Sequence, residues 1–348
     1  ADGSNGQVLT TNGSGALSWA DDADSSSGAT DIDGLSDAKL GGTNFTNSML
    51  LGHQTTGTLD DAQGNLGVGV GTLSSLTSGD YNTASGWNAL YSTTTGVRNT
   101  ASGVQALYAN TTGSQNNAYG MNTLRDNTTG SYNIAVGNAA LYQNTTGDNN
   151  VAVGYSAMYS NTTGGNNTAI GHQALTFNTT ASYNTAVGYQ SLYANTTGEA
   201  NTAFGYQASY SNTTGDYNTA LGDGALYTNT TGDANTAIGL EALLNNTTAS
   251  YNSAIGLQAL SANTTGASNT AIGYKSMYSN TTASYNTAMG YKSLYSNTTG
   301  ANNTAIGFEA LLNNTTASNN TAIGLQTLSA NTTGASNTAI GYKALYSN

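Results

Sequence analysis

The chain has no cysteine and no proline, and only 7% of its 348 residues are charged. Without cysteine there is no disulfide framework, no thiolate metal site and no cysteine nucleophile. Basic residues are scarce, 6 Lys and Arg against 18 Asp and Glu, for a net charge of −12. So few cations cannot neutralise a phosphate backbone, which excludes nucleic acid as a partner. No apolar run approaches the roughly 20 residues that span a bilayer, so membrane insertion is not expected. Leu, Ile, Val and Phe together make up only 51 of the 348 residues. That is below the roughly 20% at which a chain starts to look disordered. Disorder is normally sustained by high net charge or by abundant Pro, Glu and Lys, and this composition has neither. The two histidines, His53 and His172, stand far apart without the company that a catalytic or metal site needs. No enzyme chemistry and no cofactor are expected.

What the chain does have is a repeat. From Asn82 a pentapeptide of the form Asn-Thr-Ala-Ser-Gly recurs every 17 residues through Asn337, without one insertion or deletion. Across these 16 copies the first residue is always Asn, the third Ala and the fifth Gly, and a degenerate copy, Asn65-Leu-Gly-Val-Gly69, keeps the register one step earlier. Such strictness means that each copy stacks directly on its neighbour. Columns are numbered below from this leading Asn. Columns 4 and 9 are the only reliably large apolar ones, with Ile170, Ile238, Ile272, Ile306 and Ile340 in the first and Leu175, Leu243 and Leu311 in the second. With Asn167, Ala169, Gly171 and Asn178 they are the expected structural columns.

A second Asn, in column 12, opens the turn Asn-Thr-Thr-Gly or Asn-Thr-Thr-Ala. Asn and Gly both tolerate left-handed backbone, so each repeat reads as two short extended segments joined by two corners. Seventeen residues are too few for a helix pair, which needs about 33. The local alternative is a single helical turn at Tyr-Gln-Ala-Leu-Tyr. The predicted fold is all-β, a parallel β-solenoid (β-roll) with one 17-residue coil per repeat. Rungs about 4.8 Å apart give a rod on the order of 80 Å long. Two large apolar side chains per coil, at about 1.5–3 kcal/mol each, barely offset the ordering of the coil. Association of chains around the apolar columns is therefore expected, as a homo-oligomer, with a trimer as the expected form.

The stretch from Asn235 to Asn280 recurs almost unchanged from Asn303 to Asn348, four copies later. Growth by block duplication suggests that length itself is useful. A solenoid end calls for a cap, so further chain is expected beyond Asn348. The N-terminal residues 1–64 differ, with nine acids against the single base Lys39, and read as a Gly/Ser/Asp-rich attachment or linker region ahead of the solenoid at 65–348. Asp31, Asp33 and Asp37 look like part of a calcium loop but lack the later Glu, so a solvated acidic turn is favoured over a metal site.

The Asn-Thr-Ala-Ile-Gly core resembles the head repeats of trimeric autotransporter adhesins, over five of the 17 positions. Gly3 to Trp19, Asp33 to Lys39 and Leu51 to Leu59 resemble segments of bacteriophage tail fibres and related bacterial surface fibres. These resemblances imply a left-handed trimeric β-roll in an extracellular fibre, on a virion or a cell surface. The leading functional reading is a non-enzymatic structural and adhesive fibre, whose weak contacts are multiplied by avidity. Its candidate partners are copies of itself and cell-surface glycans. Tyr155, Tyr189, Tyr206, Tyr274 and Tyr291 in column 6, with Tyr91, Tyr108, Tyr142, Tyr159, Tyr193 and Tyr210 in column 10, are the candidate surface contacts, although rings packed between coils or between chains are the commoner reason for such columns. One alternative is an ice-binding Thr array built on Thr111, Thr128 and Thr145. The other is a polysaccharide-degrading solenoid, for which Asp216, Asp223 and Asp233 come nearest to a cluster, in different columns. The Asn-Thr-Thr turns also match the N-glycosylation pattern fourteen times, which is read as a coincidence of turn chemistry.

Overall fold

A computed structural model describes residues 7–11, 17–21, 38–52 and 56–346. Asp31, Asp33, Asp37 and His53 lie outside the described residues. The fold is all-β, with no helix among the described residues, and consists of about seventeen coils of 17 residues in a parallel β-solenoid. The chain forms two compact units, residues 1–129 and 130–348.

In the first unit, β1 (Gln7–Thr11) and β2 (Leu17–Asp21) pair as an antiparallel hairpin. The strand β3 (Ala38–Leu40) is followed by β4 (Phe45–Thr46), β5 (Met49–Leu51) and β6 (Ala62–Gln63). One three-residue strand per coil comes next: β7 (Leu66–Val68), β8 (Thr83–Ser85), β9 (Thr100–Ser102) and β10 (Asn117–Tyr119). The parallel ladder begins at β5, where Met49 pairs with Leu66, one coil before Asn65. Ser48 stands in for the leading Asn there, and its Oγ accepts the Asn65 backbone N–H at 2.9 Å. On its other side β5 pairs antiparallel with β3, so the N-terminal edge of the ladder is covered. An uncovered edge would offer unpaired N–H and C=O groups to other chains.

The second unit holds thirteen such strands, β11 (Ile134–Val136) to β23 (Thr338–Ile340). Every neighbouring pair is parallel and offset by one repeat, as in Thr168↔Thr185, Ala169↔Ala186 and Ile170↔Val187. Each strand occupies columns 2 to 4 and ends at the column-5 Gly. Gly205 shows why this residue does not vary. Its φ is +134°, and a Cβ there would sit 2.5 Å from the carbonyl oxygen of Gly222 on the next coil.

Beyond the Gly the coil departs from expectation. Columns 6 to 11 form neither a second strand nor a helical turn. Alternate residues instead take left-handed angles, as at Gln190 (51°) and Leu192 (49°). The segment still ladders to both neighbours: Gln207 N–H donates to Tyr189 on the coil before, and Leu192 N–H donates to Ala208 on the coil after. A left-handed Leu costs roughly 1–2 kcal/mol in backbone strain. Full burial of its side chain returns about 1.5–3 kcal/mol, so burial wins.

The pleat decides which columns face inward. Side chains alternate along the strand, and the column-3 Ala is the one that points in, fully buried at Ala169, Ala186 and Ala203. Columns 2 and 4 therefore face out. This corrects the expectation for Ile170, Ile238, Ile272, Ile306 and Ile340. Ile170 is 41% exposed and Ile340 69%, and the other three are half-buried. The interior is filled by the column-3 and column-8 Ala and by the column-9 Leu, with Leu175, Leu243 and Leu311 all fully buried.

Both Asn columns also lie inside. Asn184 N–H donates to Asn167 Oδ1 at 2.9 Å, and Asn184 Nδ2 donates to the Gly198 carbonyl at 2.9 Å. From the other side of the coil, Asn195 Nδ2 donates to the same Gly198 carbonyl at 2.9 Å and to Asn178 Oδ1 at 3.0 Å. A column-15 carbonyl such as Gly198 thus ties the two ladders together across the coil. A buried amide left unpaired costs about 1–3 kcal/mol, so the same residue is needed on every rung.

Candidate functional site

With the interior closed by Ala, Leu and Asn, whatever the molecule recognises must be on its outer columns. Among the described residues no three His, Cys, Asp or Glu side chains stand together as metal ligands would. The outer face of the strands carries the column-2 Thr and column-4 apolar residues, with Phe204 40%, Leu221 47% and Met289 38% exposed. Exposed large apolar side chains repeated on consecutive rungs make a contiguous stripe, and patches of this kind mark contact surfaces for proteins, membranes or ligands.

Beside it run two ring ladders. In column 6, Tyr155, His172, Tyr189 and Tyr206 stack in sequence with centroids 5.1, 5.3 and 5.2 Å apart. Tyr274, Tyr291 and Phe308 repeat the arrangement at 5.2 and 4.9 Å. His172 is thus one ring in a ladder. In column 10 the runs are Tyr91–Tyr108, Tyr142–Tyr159, Tyr193–Tyr210–Tyr227 and Tyr278–Tyr295. Phe177 meets Tyr193 edge-on at 4.9 Å. Burial, and after it the neighbouring phenols Tyr193 and Tyr227, push the Tyr210 hydroxyl above the usual tyrosine value near 10.

Column 7 lies between the two ring columns and joins them. Lys275 Nζ is 5.5 Å from the Tyr274 ring and 5.1 Å from Tyr278, and Lys292 is 5.3 and 5.5 Å from Tyr291 and Tyr295. Elsewhere the column pairs amides or an amide with a carboxylate: Gln190 donates to Gln173 at 2.9 Å, and Gln258 donates to Glu241 at 2.6 Å. The ring faces of Tyr189 and Tyr291 are therefore covered by the rungs above and below. What these tyrosines show to solvent is mainly edges and hydroxyls.

The other candidates fall differently. The Thr111 Oγ1 donates to the Thr128 carbonyl at 3.0 Å, and Thr145 Oγ1 donates to Thr162 at 3.0 Å. Column 13 therefore uses its hydroxyls to bind the next coil instead of presenting them as a free array. Asp216 and Asp233 share column 16, contrary to their expected separation, and Asp223 lies apart in column 6. Asp233 Oδ1 accepts the Asp216 N–H at 2.8 Å, and Asp216 Oδ1 accepts the Glu199 N–H at 2.7 Å, so these carboxylates are spliced into the rungs. The Asn of the Asn-Thr-Thr turns is buried, as at Asn212, where Nδ2 donates to Asn195 and Gly215. In the folded coil that nitrogen is out of reach of a glycosylating enzyme.

Sequence reasoning missed the outward turn of column 4 and gave no role to column 17. The signal for the latter was present, because Tyr183, Tyr217, Tyr251 and Tyr285 recur at intervals of two repeats. No protein-family model matches the chain, and no curated protein is similar to it in sequence.

Proposed function

We propose that the chain is a non-enzymatic structural and adhesive fibre segment that assembles with copies of itself. Three chains per assembly, and an extracellular place on a virion tail fibre or cell-surface filament, are what the adhesin and tail-fibre resemblances imply. The observation that carries the reading is the outward column 4. It sets Ile, Val, Leu, Met or Phe on nearly every rung from Val136 to Ile340, beside the small Thr of column 2. A flat apolar stripe of this length gains by packing against an identical stripe, because the same residues recur at the same spacing on both chains. The regular rungs then supply reach, and contacts repeated along them add by avidity.

Sedimentation of the purified chain tests the reading. A discrete homo-oligomer at micromolar concentration is the expected result, and a monomer under those conditions contradicts it.

A further inference from the structure

Four tyrosines of column 17 stand apart from the ring ladders of columns 6 and 10. Tyr183, Tyr217, Tyr251 and Tyr285 are 64%, 68%, 68% and 66% exposed, more than any tyrosine of the ladders between Tyr91 and Tyr295. None of them stacks on another ring. All four sit at left-handed φ, between 57° and 64°. Such a conformation costs a non-glycine residue roughly 1–2 kcal/mol. The fold does not call for a ring there, since Ala200, Ala234 and Ser268 occupy the same column on the intervening coils. The left-handed backbone belongs to the column, since Ala200 and Ala234 adopt it too, at 54° and 52°. What sets the tyrosines apart is a solvent-facing ring that the coil could replace with Ala, and such a ring points to a ligand.

We propose that Tyr183, Tyr217, Tyr251 and Tyr285 form a binding strip for a neutral, extended β-linked polysaccharide laid along the coil stack. One ring every second rung gives a spacing of about 9.6 Å. That is close to the length of one disaccharide unit in an extended β-1,4-linked chain, so successive rings meet the same sugar face at every second residue. The small side chains between them leave the strip open. Column 16 runs alongside, and Asp216 and Asp233 each use Oδ1 for a backbone N–H. A carboxylate offers two oxygens, which leaves Oδ2 as an acceptor for sugar hydroxyls. These charges, within a net charge of −12, repel anionic polysaccharides and select a neutral one. The proposal deepens the adhesive reading above and rests on it for the addition of weak contacts along the chain.

The test is co-sedimentation of the full chain with microcrystalline cellulose and with insoluble chitin, using granular starch as the α-linked comparison. The intact chain is expected to bind at least one β-linked probe and to leave starch unbound. The Tyr217→Ala/Tyr251→Ala chain, whose new residues match the native Ala200 and Ala234, should bind at least about tenfold more weakly through lost avidity. Deleting residues 252–268 removes one whole coil, keeps all four tyrosines and brings Tyr251 and Tyr285 onto consecutive rungs. This deletion should weaken binding as well. No binding to either β-linked probe, equal binding to starch, or undiminished binding by either altered chain overturns the proposal. Sedimentation of the same samples separates the two readings. An intact oligomer that fails to bind sinks the strip alone, and a monomer that binds sinks the assembly alone.

Discussion

The inside and the outer strand face of the coil reverse the usual assignment of residue types. Inside, two polar columns are fully buried, as at Asn195 and Asn201, within 1% of complete burial. Outside, the bulkiest aliphatic column stands in solvent, with Ile170 and Ile255 41% and 37% exposed. The difference teaches that a 17-residue coil has little interior volume. A column-3 Ala and a column-9 Leu nearly fill it, and the remaining room goes to amides that tie rung to rung. An amide suits this place because its donor and acceptor point to opposite neighbours, so one residue type satisfies itself indefinitely along a stack. The Ile column, with no space inside, becomes a surface to be covered by something else.

Substitutions on the two sides should separate sharply. The largest effect is expected at the turn out of the strand: Gly205→Ala combines left-handed strain with a clash against the Gly222 carbonyl. It should cost about 4 kcal/mol, read as a loss in the urea midpoint. Asn212→Ala comes next, because it strips the acceptor from Asn229 Nδ2 and a donor from the Gly215 carbonyl. About 2 kcal/mol is expected. On the outer face, Ile238→Asn should change the stability of the single chain by less than about 0.5 kcal/mol. Equal losses at Asn212 and Ile238 would erase the distinction between the two faces.

Two smaller effects sharpen it. Ser209 occupies the Leu column between Leu192 and Leu226 and is only 1% exposed. Restoring the apolar column with Ser209→Leu should stabilise the chain by about 1 kcal/mol, whereas a destabilised product would mean that the column is already tightly closed there. The ring ladder should respond to alkali. Because the Tyr210 hydroxyl is raised above its ordinary value, folding favours the neutral phenol. The stability it contributes is complete below the ordinary tyrosine range near 10 and is lost as pH climbs through the higher folded value. The Tyr210→Phe chain, which cannot ionise there, should hold its fold further into alkali than the unaltered chain. An identical alkaline midpoint for both would remove this ladder as a source of the loss.

Much of this was legible because the repeat never slips. A period without insertions gave one coil per 17 residues, whereas the expected second extended segment is not a strand. The direction of column 4 was not legible, since large aliphatics are ordinarily assigned to a core and only the pleat around Ala169 shows otherwise. The path after Gly205 was hidden for another reason. Gln190 and Leu192 have no local preference for left-handed angles, and it is the ladder bonds to both neighbouring coils, together with the burial of Leu192, that hold them there. The glycosylation-like turns illustrate the same point: a surface motif in one dimension becomes a buried ladder once coils stack. Column 17 carried a visible two-repeat rhythm, but alternating Tyr and Ala gives no reason for a ring until the exposure of Tyr217 is known.

The native absence of cysteine allows one measurement to address both the inward and the outward columns. In separate single-site chains, Ile255→Cys places a thiol on the outer strand face and Leu260→Cys places one in the interior of the same coil. Under mild oxidation, the Ile255→Cys chain should form interchain disulfides as equivalent columns meet in the assembly, while the Leu260→Cys chain stays uncrosslinked until it is unfolded. Crosslinking at position 260 with none at 255 would contradict both the inside-out arrangement of the coil and its association through the Ile face.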